Sequence, residues 1–426
     1  MHELAIRSAR VVTREGVRDV EVGVDGGRIT EVAEEVEPAY SEVDGKGMLL
    51  LPGLLDDHVH FRQPGREQKE DYATGTLAAV HGGVTTAFEI QNNSPLMISR
   101  QALEEKLALV RPLARANVGL YANANRASAG RLAEMADLAV GFKLFLAPSH
   151  GDEGVDSDSV LRAIFQEAAR LGKVVAVHAE DRGLIERNLE LHGAGGAASW
   201  SQARPPTAEV RACERAIRFA ERTGARIHIF HLSTAGAVDL LEDAKHRGLP
   251  VTGATCPHYL IFSDEDLEEY GGLLKVNPSI KSAVDRKRLR EGVSSGVIDV
   301  LETDHAPHLP EEKRAPFSEN PSGISSVDLF LPLLFHLIEE QVLDLPRLLD
   351  RACAAPARIF GQPQVGWIET GLQADLVLLD DRRRWTPQAT DFCSKASLSP
   401  YLGFELPARV ERTFVSGQQV WPVQAR

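Results

Sequence analysis

The residues able to bind a metal or move a proton sit at the ends of short apolar runs. His58-Val59-His60 follows Met48-Leu49-Leu50-Leu51-Pro52-Gly53-Leu54-Leu55, which reads as a buried strand. Alternate residues on a strand share a face, so both imidazoles can reach one metal ion. His178 ends the run from Val174, His231 closes the run from Ile227, Lys143 lies within Gly141 to Leu146, and Asp304 follows the run from Val297 to Leu301. Taken singly, each histidine reads equally as a packed core residue; together, at successive strand ends, they read as one metal centre. His228 rivals His231, but it stands three positions earlier and is expected on the opposite face of the strand. Asp304 suits the roles of last ligand and general base, because a carboxylate within hydrogen-bond reach can take the proton of an attacking water. Its alternative is a turn carboxylate capping Ala306 to His308. An ammonium does not bind a cation, but CO2 added to the neutral amine of Lys143 gives a carbamate, an anionic bridge between two metals. Burial lowers a lysine pKa in the direction this requires. Lys143 otherwise reads as a core-edge lysine pairing with Asp152 or Glu153.

Positioning such groups calls for a scaffold of repeated strand ends. From residue 53 onward, strand-like runs alternate with helical ones: the run before His58, then those beginning at Val84, Asn117, Gly141, Val174, Ile227, Val251 and Val297. Helical stretches such as Asp158 to Leu171 and Glu209 to Thr223 separate several of them. Eight strands alternating with helices is the plan of a (β/α)8 TIM barrel, which carries its chemistry at the C-terminal ends of its strands. Residues 1–52 alternate apolar and polar positions, with a strand, an Asp-Gly turn and a second strand over Val20 to Ile29. The tail from 359 to 426 returns to strand and turn, is too short for a domain of its own, and is expected to complete a small β-sandwich formed by both termini around a barrel spanning 53–358. Two long loops, Ala147 to Val155 and Ala306 to Ser325, are expected to be functional; the second, rich in proline, could act as a lid.

Composition narrows the class. The 426 residues are 43% hydrophobic and 25% charged, ordinary values for a globular protein. The 61 acidic residues exceed 47 basic ones, for a net charge of -14, which argues against non-specific nucleic-acid binding and against anionic membranes. The cysteines at 213, 256, 353 and 393 form no C-x-x-C pair, as expected of reduced thiols in a cytoplasmic protein. Met1-His2-Glu3-Leu4 lacks the character of a signal peptide, and no apolar run is long enough to span a membrane.

Five segments carry a resemblance. Pro52-Gly53-Leu54-Leu55-Asp56-Asp57-His58-Val59-His60-Phe61-Arg62-Gln63-Pro64-Gly65, Lys69-Glu70-Asp71, Gly82-Gly83-Val84-Thr85-Thr86, His178-Ala179-Glu180-Asp181 and Asp304-His305-Ala306-Pro307-His308 together resemble the dihydroorotases, cyclic amidohydrolases of the amidohydrolase superfamily. The likeness runs in order from about residue 45 to 380. It implies a zinc centre with two Zn2+ ions: His58, His60 and Asp304 on one, His178 and His231 on the other, and a carboxylated Lys143 between them. Some members use an Asp from an Asp-Asp-Gly loop instead, which Asp152-Glu153-Gly154 faintly resembles. The implied substrate contacts fall on His60, Arg62, Asn92, Asn277, His308 and the main chain at Ser322-Gly323. The chain departs from the family at Ile90-Gln91-Asn92-Asn93, where Met-Pro-Asn-Thr is usual; Asn92 is kept and its neighbours differ.

The implied reaction is reversible hydrolysis of dihydroorotate to N-carbamoyl-aspartate in pyrimidine synthesis, with Asp304 as the proton-transferring group. Allantoinases and dihydropyrimidinases share the ligand set, but their substrates lack the ring carboxylate that Arg62 would grip. A further reading is a non-catalytic subunit supporting an aspartate carbamoyltransferase assembly; such chains typically lose metal ligands, and this one keeps them. An active enzyme could equally bind that partner or form a homodimer.

Overall fold

The computed structural model describes residues 1–148, 154–193 and 195–423. Its centre is a ring of parallel strands: β1 (Leu54–Val59), β2 (Val84–Glu89), β3 (Asn117–Leu120), β4 (Phe142–Phe145), β5 (Val175–His178), β6 (Ile227–Ile229), β7 (Val251–Thr255) and β8 (Val300–Leu301). β1 pairs with β2 and β2 with β3. Ala122–Asn123, just past β3, pairs with β4, and pairing then runs in order to β8. Each run expected to be a barrel strand supplies one.

The ring closes between its first and last strands. Val59 bridges His305, and His60 N donates to His305 O at 2.8 Å. The wholly buried Asp56 carboxylate adds to this seam, accepting from Thr303 N at 3.1 Å, from the Thr303 hydroxyl and from His58 N at 3.3 Å. Below the strand ends, Leu55, Phe88, Tyr121, Ala176, Phe230 and Val300 fill the interior, and Phe360 closes the bottom against Tyr121, with ring centroids 5.7 Å apart. The barrel is therefore a packed core, open only at its top.

Side-chain caps fix where strands give way to helices. Asp181 accepts from Leu184 N to start Arg182–His192 just after His178, and Thr234 accepts from Ala237 N to start Ala235–His246 just after His231. The strand ends that carry these histidines are thus held within three residues by caps. Asp158–Leu171 is a helix with the expected limits, and the stretch ending at Thr223 begins at Pro206.

Both ends of the chain build two further sheets. One orders Arg28–Ala33, Glu21–Asp25, His2–Arg7 and Ala39–Asp44; the other orders Gln418–Trp421, Arg409–Val415, Leu376–Asp380, Leu49–Pro52, Arg10–Thr13 and Gly16–Asp19. Gly26 and Gly27, both at positive φ, turn the first hairpin where the Asp-Gly turn was expected. Leu4, Ile6, Val22, Leu50, Leu376 and Phe414 pack between the sheets, while Leu49, Leu51, Val377 and Val410 face the barrel.

The apolar run before His58 is not one strand. It breaks at Gly53: Leu49–Pro52 belongs to the sandwich and Leu54–Val59 to the barrel. A side chain at residue 53 would lie 2.0 Å from Thr85 Oγ1, so the close approach of strands there requires glycine. The Ala306 to Ser325 stretch holds one short helix, Pro310–Lys313. Of the Ala147 to Val155 loop, residues 149–153, including Asp152 and Glu153, lie outside the described residues.

Candidate active site

At the top of the barrel, His58 Nε2 and His60 Nε2 lie 3.3 and 3.4 Å from the same atom, Asp304 Oδ1. His60 Nδ1 is 2.8 Å from Ile90 O, a group that only accepts, so Nδ1 carries the proton and Nε2 turns a lone pair toward Asp304. Burial holds the His58 and His60 pKa values well below the ordinary range, with nearby cations adding to the effect, so both rings are neutral. Burial pushes Asp304 up to about 6, against the pull of His258, Lys143, His178 and Arg62.

A second pair completes the group. His178 Nδ1 and His231 Nε2 are 2.9 Å apart. His178 Nε2 is 3.0 Å from Glu180 Oε2, which accepts its proton and leaves Nδ1 as a lone pair facing His231. Burial lowers both pKa values, His231 well below the ordinary range. Lys143 Nζ stands among these rings, 4.2 Å above the Phe230 centroid and 4.6 Å above that of Phe145, and its charge acts on all four imidazoles. Neutral imidazole lone pairs and a carboxylate, turned on one another in a dry site, fit a cation: the donor set is that of a nitrogen–oxygen metal centre. Three of these positions, Arg62, His231 and Asp304, have left-handed backbone, at φ 64, 39 and 46. For non-glycine residues this costs roughly 1–3 kcal/mol each and is concentrated at working sites.

His58, His60, His178, His231 and Asp304 form the floor of a small cavity of about 30 Å³ whose walls include Asn92, Asn277, Ser322 and Gly323. Gly323, at φ 149, admits no side chain, since a Cβ would lie 2.4 Å from Ala306 O. Arg62 and His308 stand directly behind this wall. Arg62 Nη1 donates to Asn92 Oδ1 at 2.9 Å and Nε donates to Pro307 O at 3.3 Å. Lys69 Nζ donates to His308 Nδ1 at 3.0 Å, which leaves His308 Nε2–H to donate to Ser322 O at 3.0 Å. Of the candidates named from the sequence, His58, His60, Asn92, His178, His231, Asn277, Asp304, Ser322 and Gly323 line this opening, Lys143 stands among the rings at its floor, and Arg62 and His308 lie behind its wall.

One expectation needs correcting and several residues are new. His228 does not point away from the barrel interior. Regular strand ends at Ile229 and His231 has positive φ, so strict alternation fails between them. His228 lies one layer beneath His231, its ring 5.1 Å from that of Phe230 and its Nε2 3.2 Å from Asp57 Oδ2. The residues flanking Asn92 turn away from the cavity: Gln91 and Asn93 both donate to Pro64 O, at 3.0 and 2.8 Å, and so pin the loop that carries Arg62. Glu180, Lys69 and Glu302, which orient the candidate site histidines, were not singled out from the sequence. Glu180 and Lys69 were within quoted motifs; no spacing marked Glu302.

The chain matches the model of the Amidohydrolase family over residues 49–420. A dihydroorotase of Geotalea daltonii is 35% identical over 409 residues, covering 93% of each chain, and an allantoinase of Deinococcus radiodurans is 33% identical over 428 residues, covering 98% of this chain and 95% of its own. In structure, the L-hydantoinase (dihydropyrimidinase) of Arthrobacter aurescens superposes with a TM-score of 0.94 at 28% identity, covering 98% of this chain and 96% of that one. The chain belongs to the amidohydrolase family. It is a hydrolase of cyclic amides, built as a TIM barrel with metal-binding groups at its top. Among the described residues, no helix is long and apolar enough to cross a membrane.

Proposed function

We propose that this enzyme is a cytoplasmic dihydroorotase, interconverting (S)-dihydroorotate and N-carbamoyl-L-aspartate and running toward ring closure in pyrimidine synthesis. The observation that carries this reading is Arg62. Its guanidinium is 1% exposed, and among the described residues no carboxylate pairs with it. Its hydrogen bonds to Asn92 and Pro307, and the approach of Nη2 to His308 Nε2 at 3.4 Å, leave N–H donors over. Burial, with the nearby Arg66, pushes its pKa down to about 10, against the pull of Asp304, Glu89 and Glu312. A buried fork with donors over suits a two-point contact with a carboxylate. Dihydroorotate carries one on its ring; hydantoin, dihydrouracil and allantoin do not.

On this reading His58, His60 and Asp304 would hold one zinc ion and His178 and His231 a second, with a carboxylated Lys143 as a further ligand. Bound there, zinc would lower the barrier to attack by water at neutral pH and polarise the scissile carbonyl. Asp304 takes the proton of the attacking water and passes it to the leaving ring nitrogen. Arg62, with Asn92 and His308, grips the ring carboxylate; Asn277 meets the amide edge; and the Ser322-Gly323 main chain closes over the ring.

A second reading, hydrolysis of hydantoins or allantoin, is favoured by the TM-score of 0.94 to a hydantoinase and by the allantoinase relative. Turnover of dihydroorotate and of carbamoyl-aspartate by the zinc-loaded protein, with metal content measured on the same sample, tests the proposal. Turnover with about two zinc ions per chain is expected; turnover with about one would move weight from Lys143 to an Asp152-type site. Bound zinc without turnover, and activity on a hydantoin or allantoin panel, would favour the second reading. Light scattering of the protein alone and mixed with aspartate carbamoyltransferase tests for a homodimer and for that partner.

A further inference from the structure

Each candidate ligand ring needs its second nitrogen fixed, because the proton on one nitrogen decides whether the other is a lone pair. His60 is fixed by Ile90 O and His178 by Glu180. For His58 the group facing Nδ1 is Glu302, with Oε2 at 3.6 Å. The other oxygen of the same carboxylate accepts from His231 N at 2.6 Å. Glu302 is wholly buried, lies just past β8 two residues before Asp304, and does not line the cavity. One carboxylate therefore stands behind a ligand candidate of the first metal position and behind the strained backbone of a ligand candidate of the second.

Beneath it, Asp57 and His228 offer ligand-type atoms that lie, with one from Glu302, within 4.8 Å of one another, all buried. The Thr252 hydroxyl donates to Ile227 O at 3.2 Å, so it accepts the proton of His228 Nδ1 at 2.8 Å. That orients His228 Nε2 toward Asp57 at 3.2 Å. The layer under Glu302 thus places two further buried groups close beneath its carboxylate.

We infer that Glu302 is a positioning residue which sets the His58 tautomer and the His231 backbone together, and so couples the two halves of the metal centre. This rests on the proposed assignment of His58 and His231 as ligands. Glu302 Oε2 faces His58 Nδ1 at 3.6 Å and neither atom has another hydrogen-bond partner among the described residues, so closing that gap would let the carboxylate take the Nδ1 proton and leave the Nε2 lone pair beside Asp304, while Oε1 holds His231 N so that its ring meets His178. Removing it frees the imidazole to rotate or change tautomer and relaxes the left-handed turn at His231. Zinc affinity then falls before substrate binding does, since Glu302 is no part of the cavity wall.

Competition between the protein and a zinc-chelating dye measures this in wild type, Glu302→Ala, Glu302→Gln and His58→Ala, with circular dichroism as the check on folding. Glu302→Ala is expected to weaken zinc binding about 10- to 100-fold, the range found for lost partners of metal-ligating histidines. Glu302→Gln should recover part of this, because its carbonyl oxygen accepts one of the two protons. At saturating zinc KM should stay near wild type while kcat falls. A folded Glu302→Ala protein with wild-type zinc affinity overturns the inference; where alanine prevents folding, wild-type affinity in Glu302→Gln with an unchanged kcat does the same. Equal zinc binding by wild type and His58→Ala would instead reject the ligand assignment. A third zinc ion per chain, lost in Asp57→Asn, would overturn positioning in favour of an ion held by Asp57, His228 and Glu302.

Discussion

Arg62 offers five N–H groups from inside the protein, and its contacts to Asn92, Pro307 and His308 engage only part of them. Replacing it by methionine keeps the length and removes the charge. A lost charge-assisted hydrogen-bond pair is worth about 1.5–3 kcal/mol, so KM for dihydroorotate should rise about 10- to 150-fold, with a smaller change in kcat. An unchanged KM in steady-state assays would count against the assignment. Asp304→Ala should lower kcat by three orders of magnitude or more, about 4 kcal/mol of barrier, while circular dichroism shows the fold retained. Near-wild-type turnover would reject its role. A third expectation concerns protons. His258 is buried with neither ring nitrogen hydrogen-bonded, and burial lowers its pKa from 6.5 to about 4. The unfolded chain binds a proton there from pH 6.5 downward while the folded chain does not, so folding loses stability as pH falls from 6.5 toward 4. Relative to His258→Gln, the wild type should lose about 2 kcal/mol between pH 7 and pH 5 in urea titrations. Equal pH slopes for the two proteins would reject this origin. At this scale the ligand candidates were visible in the sequence, because imidazoles and a carboxylate at strand ends stand out by type. Glu302 was hidden because one glutamate in an apolar run carries no spacing signal; only the fold turns its two oxygens toward His58 and His231.

The strands do more than display ligands. Between β1 and β8, backbone pairing thins to the bridge at His305, and the Asp56 carboxylate supplies three further hydrogen bonds. Asp56→Ala leaves Thr303 N, the Thr303 hydroxyl and His58 N to find other partners in a buried seam. A loss of about 2–4 kcal/mol in urea-induced unfolding is expected, with His58 displaced and zinc affinity reduced alongside. An unchanged unfolding midpoint would show that the ring closes without this side chain. All eight barrel strands were legible from apolar runs, since parallel strands buried on both faces leave continuous hydrophobic stretches. What the pattern concealed was the break at Gly53, because Pro52-Gly53 interrupts a run that stays apolar on both sides. It concealed His228 for a related reason: period-two reasoning holds only while a strand stays regular, and β6 ends before His231.

Across the whole molecule, the metal-ligand candidates rise from strand ends, whereas the groups that would choose a substrate stand on loops: Arg62 after β1, Asn92 after β2, Asn277 before the Ala283–Ser295 helix and His308 after β8. That separation lets one metal floor serve several ring substrates, as the dihydroorotase, allantoinase and hydantoinase likenesses illustrate. The sandwich has another effect. Leu49–Pro52 lies at the middle of its sheet, paired on one side with Arg10–Thr13 and on the other with Leu376–Asp380. More than 300 residues separate those last two partners in the chain. During synthesis at about 5–20 residues per second, the leucine-rich edge stays uncovered for tens of seconds while the entire barrel emerges. An open, apolar edge strand is a template for wrong pairing, so the newborn chain passes through a sticky interval that ends only when its tail arrives to seal it.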